Sequence, residues 1–208
     1  MSTLAFRTPC TAIISGPTGT GKSWLIFKII ENRRDLFDKK IEKIYYFYSV
    51  WQNMFDKYSD QDIVFINNKP DEKIIKEIAN GGHYLLVIDD LQTAALKDEF
   101  IANLFTRESH HKNLSVFLIL QNLFHQGKYS RDISLNSHYF ILFKNPRDKN
   151  QIKTLARQLG LNKTLEEAYN SATEKPFSYL LIDLSPNSNP DYMLRSDILP
   201  EDYTIVYK

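Results

Sequence analysis

Cysteine is almost absent. Cys10 is the single one in 208 residues, which excludes an intrachain disulfide and points to a reducing compartment. Long apolar runs are missing too. The stretches Tyr84–Ile88 and Tyr139–Phe143 fall far short of the roughly 20 residues that a membrane-crossing helix needs. The opening, MSTLAFRTPC, has no extended apolar segment and does not read as a secretion signal. Net charge is only +1, so no broad basic field is expected, and any hold on nucleic acid would come from local patches or a pore lining repeated around an oligomer. Low-complexity tracts and internal repeats are also lacking.

Glycine is scarce, and this makes its placement informative. Three of the seven glycines fall in residues 16–23, GPTGTGKS, a full match to G-x-x-x-x-G-K-[ST]. Glycines let the backbone turn its N–H groups inward as a concave anion site, and the positive end of a following helix faces the same point. Gly16, Pro17, Thr18, Gly19, Thr20, Gly21, Lys22, Ser23 and Trp24 are therefore expected to cradle the phosphates of ATP. Lys22 adds a point charge on the β- and γ-phosphates, and Ser23 offers a hydroxyl to Mg²⁺.

What surrounds this motif alternates between strand and helix patterns. Strands are expected at Thr11–Ser15, 43–48, 62–66, Tyr84–Ile88, 115–120, 138–143 and 177–184. Helices are expected at 22–34, 70–79 (opened by Pro70, ended by Gly81 and Gly82), 92–105, 148–159 (ended by Gly160) and 164–172. Alternation of this kind implies a mostly parallel central sheet flanked by helices, with ligands beyond the carboxyl ends of the strands. The class is α/β: a P-loop NTPase of the additional-strand, RecA-like type. Residues 1–184 form the ATPase domain, and residues 185–208, rich in Pro, Ser, Asn and Asp, read as an extended arm packed on the same domain or a neighbouring subunit.

Two further strand ends carry chemistry. YLLVIDD ends an apolar strand in two acids: Asp89 is placed to hold Mg²⁺ and Asp90 to orient or deprotonate the attacking water, although Asp90 also stands where it could cap the next helix. A Glu is more usual at the position of Asp90. SVFLILQN ends in Gln121, whose amide can touch the γ-phosphate or the water, or cap the following segment. Hydrolysis needs charge stabilisation beyond Lys22 and Mg²⁺, often from an arginine of a neighbouring subunit. Arg107 leads as that trans finger, with Arg131 and Arg147 as rivals.

Lesser features have plainer readings. His110 and His111, adjacent in sequence, point in different directions and suit a loop or interface better than a metal site. Lys144, Arg147, Lys149 and Lys153 form a basic cluster that suits DNA phosphates or a solvated helix face equally. The aromatic run 45–48 with Trp51 reads as packing.

Taken together, GPTGTGKS, LVIDDL (86–91), FTRESHHKNLSVFLILQNLF (105–124) and RDISLNSHYFILFKNPRDKNQI (131–152) resemble the FtsK–HerA superfamily of DNA-pumping ATPases. Within it the chain is similar to the small genome-packaging ATPases of poxvirus-like viruses, virophages and Polinton-type elements. The resemblance implies a homo-oligomeric ring, pentamer or hexamer, that translocates double-stranded DNA into a capsid and meets capsid vertex or portal proteins. It also implies a place in host cytoplasm, viral factory or virion, with no membrane and no secretion, and an arginine finger between the Asp89 strand and Gln121. Two alternatives stand beside it: a small-molecule or nucleotide kinase on the same cradle, and a non-hydrolysing nucleotide-dependent assembly factor. A GTPase fits poorly, because KNPRDKN lacks the N-K-x-D order that reads guanine.

Overall fold

The computed structural model describes residues 5–58, 62–78 and 81–208. The first strand, β1 (Thr11–Ser15), runs into the glycine loop, then α1 (Lys22–Glu31) and the single turn α2 (Arg33–Leu36). Next come β2 (Lys43–Phe47), β3 (Ile63–Ile66), α3 (Glu72–Ile78) and β4 (Tyr84–Ile88). Beyond the acids lie α4 (Gln92–Ala95), α5 (Glu99–Asn103), a π-turn at Leu104–Glu108 and α6 (Ser109–His111), leading into β5 (Leu114–Leu120). The chain continues through α7 (Ser130–Leu135), β6 (Tyr139–Phe143), α8 (Asn150–Leu159), α9 (Asn162–Ala172) and β7 (Tyr179–Asp183), and closes with β8 (Leu194–Ser196) and β9 (Ile205–Tyr207).

The nine strands among the described residues join one sheet in the order β3-β2-β4-β5-β1-β6-β7-β8-β9. The six strands from β3 to β6 in that order pair in parallel, and β7, β8 and β9 add to the edge antiparallel. β5 lies between β1 and β4, the additional-strand order expected for this class. Each central strand is buried along its whole length, which is why these strands read as continuous apolar runs rather than alternations.

Successive residues face opposite sides of the sheet and feed two cores. Leu86 and Ile88 join Leu155, Leu165 and Ala168 on one face, against α8 and α9. Leu85 and Val87 join Leu25, Ile26 and Ile29 of α1 on the other. Burying one such Leu or Ile contributes about 1.5–3 kcal/mol, so the two layers anchor the loops above them. No helix among the described residues is long and apolar enough to cross a membrane.

Several expected elements differ in detail. The 92–105 helix is broken, because the Asp98 carboxylate accepts from the Phe100 amide (2.8 Å) and starts α5 afresh. The 70–79 helix begins at Glu72, after Asp71, whose side chain takes the Ile74 amide (2.8 Å), and Ala79 lies outside the described residues. The first helix stops at Glu31, and Asn32 separates it from α2. Phe177 is not in a strand: its φ of 64° takes it out of the extended region, and β7 starts at Tyr179. The segment expected as an arm carries β8 and β9, with Arg195 buried against Asp183 (3.0 Å).

Candidate functional site

Parallel strands deliver their carboxyl ends to one edge of the sheet, and here β1, β4 and β5 deliver the residues singled out by sequence. After Ser15 the chain turns at Gly16, whose amide donates to the Leu120 carbonyl of β5 (3.2 Å). A Cβ on Gly16 would lie 2.6 Å from the Cβ of Phe143, so only glycine lets the loop pass this close to β6. Gly21, at φ 98°, precedes the first turn of α1 in the left-handed region. The Thr20 hydroxyl donates to the Pro17 carbonyl (2.8 Å) and braces the turn.

The Lys22 ammonium spans the loop, donating to the carbonyls of Gly16 (2.6 Å) and Pro17 (2.8 Å). Burial lowers its pKa, while Asp89 and Asp90 pull it back up. The loop carbonyls and the two acids therefore compete for one cation, and a polyphosphate in the loop would be a rival of greater charge.

Asp89 follows β4 and is only 4% exposed. Its Oδ2 accepts from the buried Tyr46 hydroxyl (2.6 Å) and from the Ser23 hydroxyl (3.2 Å). Desolvation by burial raises its pKa, and the Tyr46 and Ser23 hydrogen bonds oppose the rise. Asp90 is exposed at φ 55°, a conformation Asp tolerates better than most residues, and its carboxylate accepts from the Ser49 hydroxyl (2.9 Å). It does not cap the next helix, whose N-cap residue is Leu91. Gln121 is exposed at the end of β5, and its backbone N–H donates to the Gln92 side-chain oxygen (2.8 Å). Gln92 in turn contacts His125 Nδ1 (3.1 Å).

These groups surround one open cavity of about 1000 Å³ lined by Gly19, Gly21, Lys22, Ser23, Trp24, Asp89, Asp90, Gln92, Gln121 and Phe177, among others. Lys22 is the one basic side chain among the described residues that line it. The donors beside it are hard oxygens: one hydroxyl and two carboxylates. This set suits Mg²⁺, which takes one or two carboxylates together with substrate phosphates rather than an all-protein cage. The buried, partly desolvated Asp89 carboxylate is the kind of group that a cation would compensate.

Other candidates fall elsewhere. Arg107 lies exposed on the π-turn, its guanidinium 3.4 Å from Asn103 Oδ1, and does not line the cavity. Arg131 and Arg147 are exposed and line none of it either. The His110 side chain lies outside the described residues, and among those described no group of three or more His, Cys, Asp and Glu is placed to hold a metal. The aromatic run is split as expected for packing: Tyr46 stacks on Phe27 (5.3 Å), while Tyr45 faces Tyr84 (6.1 Å). Sequence patterns single out none of Tyr46, Ser49, Gln92 and Phe177 for the site. Only Tyr46 leaves a trace, as a polar-tipped ring in an apolar strand, and its partner is fixed by strand register that sequence does not carry.

A family model described as RNA helicase matches residues 12–80, from β1 through α3. No curated protein matches the chain. Among solved structures, the genome packaging NTPase B204 from Sulfolobus turreted icosahedral virus 2 in complex with sulfate is similar at 16% identity and TM-score 0.59, covering 96% of this chain and 96% of that one. The same protein in complex with ATP-gammaS gives 14% identity and TM-score 0.58, over 96% and 97%. B204 described as the DNA-packaging ATPase from Sulfolobus turreted icosahedral virus gives 15% and 0.58, over the same shares. At such identities the likeness is one of fold: this chain has a P-loop NTPase-like α/β fold, with a mostly parallel sheet flanked by helices.

Proposed function

We propose that this chain hydrolyses ATP as one subunit of a five- or six-membered ring that moves double-stranded DNA, in the packaging of a viral genome into a capsid. One observation carries the reading: Lys22, Ser23, Asp89, Asp90 and Gln121, from the helix that follows β1 and from the ends of the neighbouring strands β4 and β5, line one cavity. That B204 is described as a DNA-packaging ATPase, with nearly the whole of both chains aligned, favours the motor over a kinase.

In this reading the backbone N–H groups from Gly16 to Trp24 bind the phosphates, and Lys22 leaves its carbonyl partners for the β- and γ-oxygens. Ser23 and Asp89 would hold Mg²⁺, which would supply neutralisation of phosphate charge. Asp90 positions a water in line with the γ-phosphorus and draws on its proton. The water oxygen bonds to phosphorus as the bridging P–O bond breaks, and ADP leaves with that electron pair. Gln121 senses the γ-phosphate, and its tie to Gln92 carries the change to α4. With Lys22 the single basic side chain among the described residues that line the cavity, the transition state needs one more cation. Arg107, exposed on its turn, supplies it to the neighbouring subunit, a role worth a factor of about 10³–10⁵ in analogous sites. Capsid vertex or portal proteins would receive the ring in host cytoplasm, viral factory or virion.

The RNA helicase match favours a second reading, an NTPase driven by RNA. Steady-state hydrolysis with duplex DNA, single-stranded RNA or no polymer separates the two. The motor reading expects stimulation by duplex DNA, a ring with DNA in its channel by electron microscopy, no phosphate transfer to an added acceptor, and loss of turnover in Lys22→Ala. Stimulation by RNA alone sinks it, and so does an inert wild-type protein.

A further inference from the structure

Phe177 is a large apolar side chain in an expensive position. It is 64% exposed, and its φ of 64° lies where side chains other than glycine, Asn and Asp are rarely found. It is the third residue of a tight turn, Lys175-Pro176-Phe177-Ser178, closed by the Ser178 amide and hydroxyl on the Lys175 carbonyl (3.4 and 2.6 Å). Proline second and a positive φ third is the pattern of a type II turn, whose third position favours glycine. A solvent-facing phenylalanine held against both preferences is the kind of local strain that collects at ligand sites.

The turn stands beside the phosphate loop. β7 begins at Tyr179, which pairs with Phe143 at the carboxyl end of β6, so the turn shares the sheet edge of the loop. The Phe177 ring packs over Gly21: a Cβ there would lie 3.2 Å from Phe177 Cδ1. Phe177 lines the large cavity on one side and, on the other, a pocket of about 360 Å³ shared with Gly19, Thr20, Lys144, Pro146 and Ser178.

Strand order then fixes what reaches it. In β4-β5-β1-β6-β7 the acids and Gln121 stand on the β4/β5 side of the loop, and Phe177 and Pro146 on the β6/β7 side. A triphosphate laid along the loop with its terminal phosphate toward Asp89 must send its nucleoside end toward β6 and β7. We propose that Phe177 is the platform on which the purine base of the nucleotide stacks, with the pocket beside Pro146 taking the edge of the base. This rests on the ATP-binding reading above. A flat base on an exposed ring, backed by a side-chain-free glycine, gives a use to an aromatic residue that stands where glycine would be less strained.

Calorimetry of the full chain with Mg·ATP and with Mg·tripolyphosphate, which has the phosphates but no base, tests the platform. Phe177→Gly relaxes the turn and so should not lower the melting temperature. It should weaken ATP roughly tenfold, within the range of base–aromatic stacking, and leave tripolyphosphate unchanged. Unchanged ATP affinity overturns the proposal. Equal weakening of both ligands also overturns it, since that would make Phe177 a support for the phosphate loop. If instead Trp24→Ala loses the base-dependent part and Phe177→Gly keeps it, the platform is elsewhere. Wild-type protein that binds neither ligand refutes the phosphate-cradle reading itself, a result no platform variant can mimic.

Discussion

Removing one oxygen atom tests how the Asp89 carboxylate is held. Tyr46 is fully buried, its ring stacked on Phe27 at 5.3 Å with an interplanar angle of 9° and tilted against Phe55 at 5.1 Å. Tyr46→Phe keeps those ring contacts and deletes the hydroxyl that donates to Asp89 Oδ2 at 2.6 Å. A hydrogen bond to a charged acceptor contributes about 1.5–3 kcal/mol and one to a neutral acceptor about 1. The variant should therefore lose about 2 kcal/mol in metal-free buffer. For a chain of this size that is a fall of roughly 4–8 °C in melting temperature.

The same substitution in an Asp89→Asn background removes a neutral bond and should cost about 1 kcal/mol, leaving a coupling of about 1 kcal/mol between the two sites. Urea unfolding of the four proteins, followed by far-ultraviolet circular dichroism, closes the cycle. Equal costs in both backgrounds would show that the hydroxyl does not respond to the carboxylate charge. A cost near zero in the wild-type background would mean that water replaces the hydroxyl without loss. Either outcome refutes the reasoning.

Three other substitutions probe different parts of the molecule. Burial holds the Asp89 carboxyl above its ordinary range, so the folded chain binds that proton more tightly than the unfolded one, and stability falls as pH rises from the unfolded value through the folded one. Asp89→Asn removes this loss: in metal-free buffer it should melt above wild type near neutral pH, the gap should shrink as pH drops below the ordinary carboxylate range, and Mg²⁺-dependent hydrolysis should vanish. A gap that widens on acidification contradicts the sign. Arg195→Ala strands the buried Asp183 carboxylate and should cost about 3–5 kcal/mol in urea unfolding, whereas replacing both by Met and Leu should recover most of it. Gly16→Ala drives a Cβ to 2.6 Å from that of Phe143 and 3.0 Å from Thr20 Oγ1, so nucleotide affinity and melting temperature should fall together. Unchanged affinity in the Gly16→Ala variant would show that the loop can yield.

The parts of this architecture visible in sequence are those with a local cause. The buried strands are legible because both faces are covered, which forces unbroken runs such as LSVFLIL. Gly160 is legible as a helix stop because the chain turns there at φ 69°. What stays hidden depends on partners distant in sequence. Nothing near Tyr46 says that its hydroxyl meets Asp89, 43 positions away. The 92–105 break is present as Asp98, but an apolar helical rhythm outweighs a single capping residue. Strands of three residues carry too little pattern to separate β8 and β9 from coil, and the strand that β8 pairs with, β7, lies more than ten positions back in the chain. The Phe177 turn reads as strand because aromatic residues favour strands, and only the backbone geometry contradicts it.

The insertion of β5 decides what the cavity can do. With strands about 4.8 Å apart, placing β5 between β1 and β4 separates the phosphate-loop strand from the Asp89 strand by about 10 Å. In the proposed reading, that width would leave room for a γ-phosphate and a water, which a directly adjacent pair would crowd out. The gap is bridged from above by Ser23, on the first turn of α1, whose hydroxyl reaches Asp89 at 3.2 Å. It is floored by β5, which gives the Leu120 carbonyl to Gly16 and is followed by Gln121. The residue proposed to sense the terminal phosphate is thus tied on one side to the glycine loop, through the Leu120 carbonyl that precedes it. On the other side it is bonded to Gln92, on the helix that follows the acids. In the motor reading proposed above, a change in the gap would move one of these two attachments, and the Gln121–Gln92 hydrogen bond would pass it to α4.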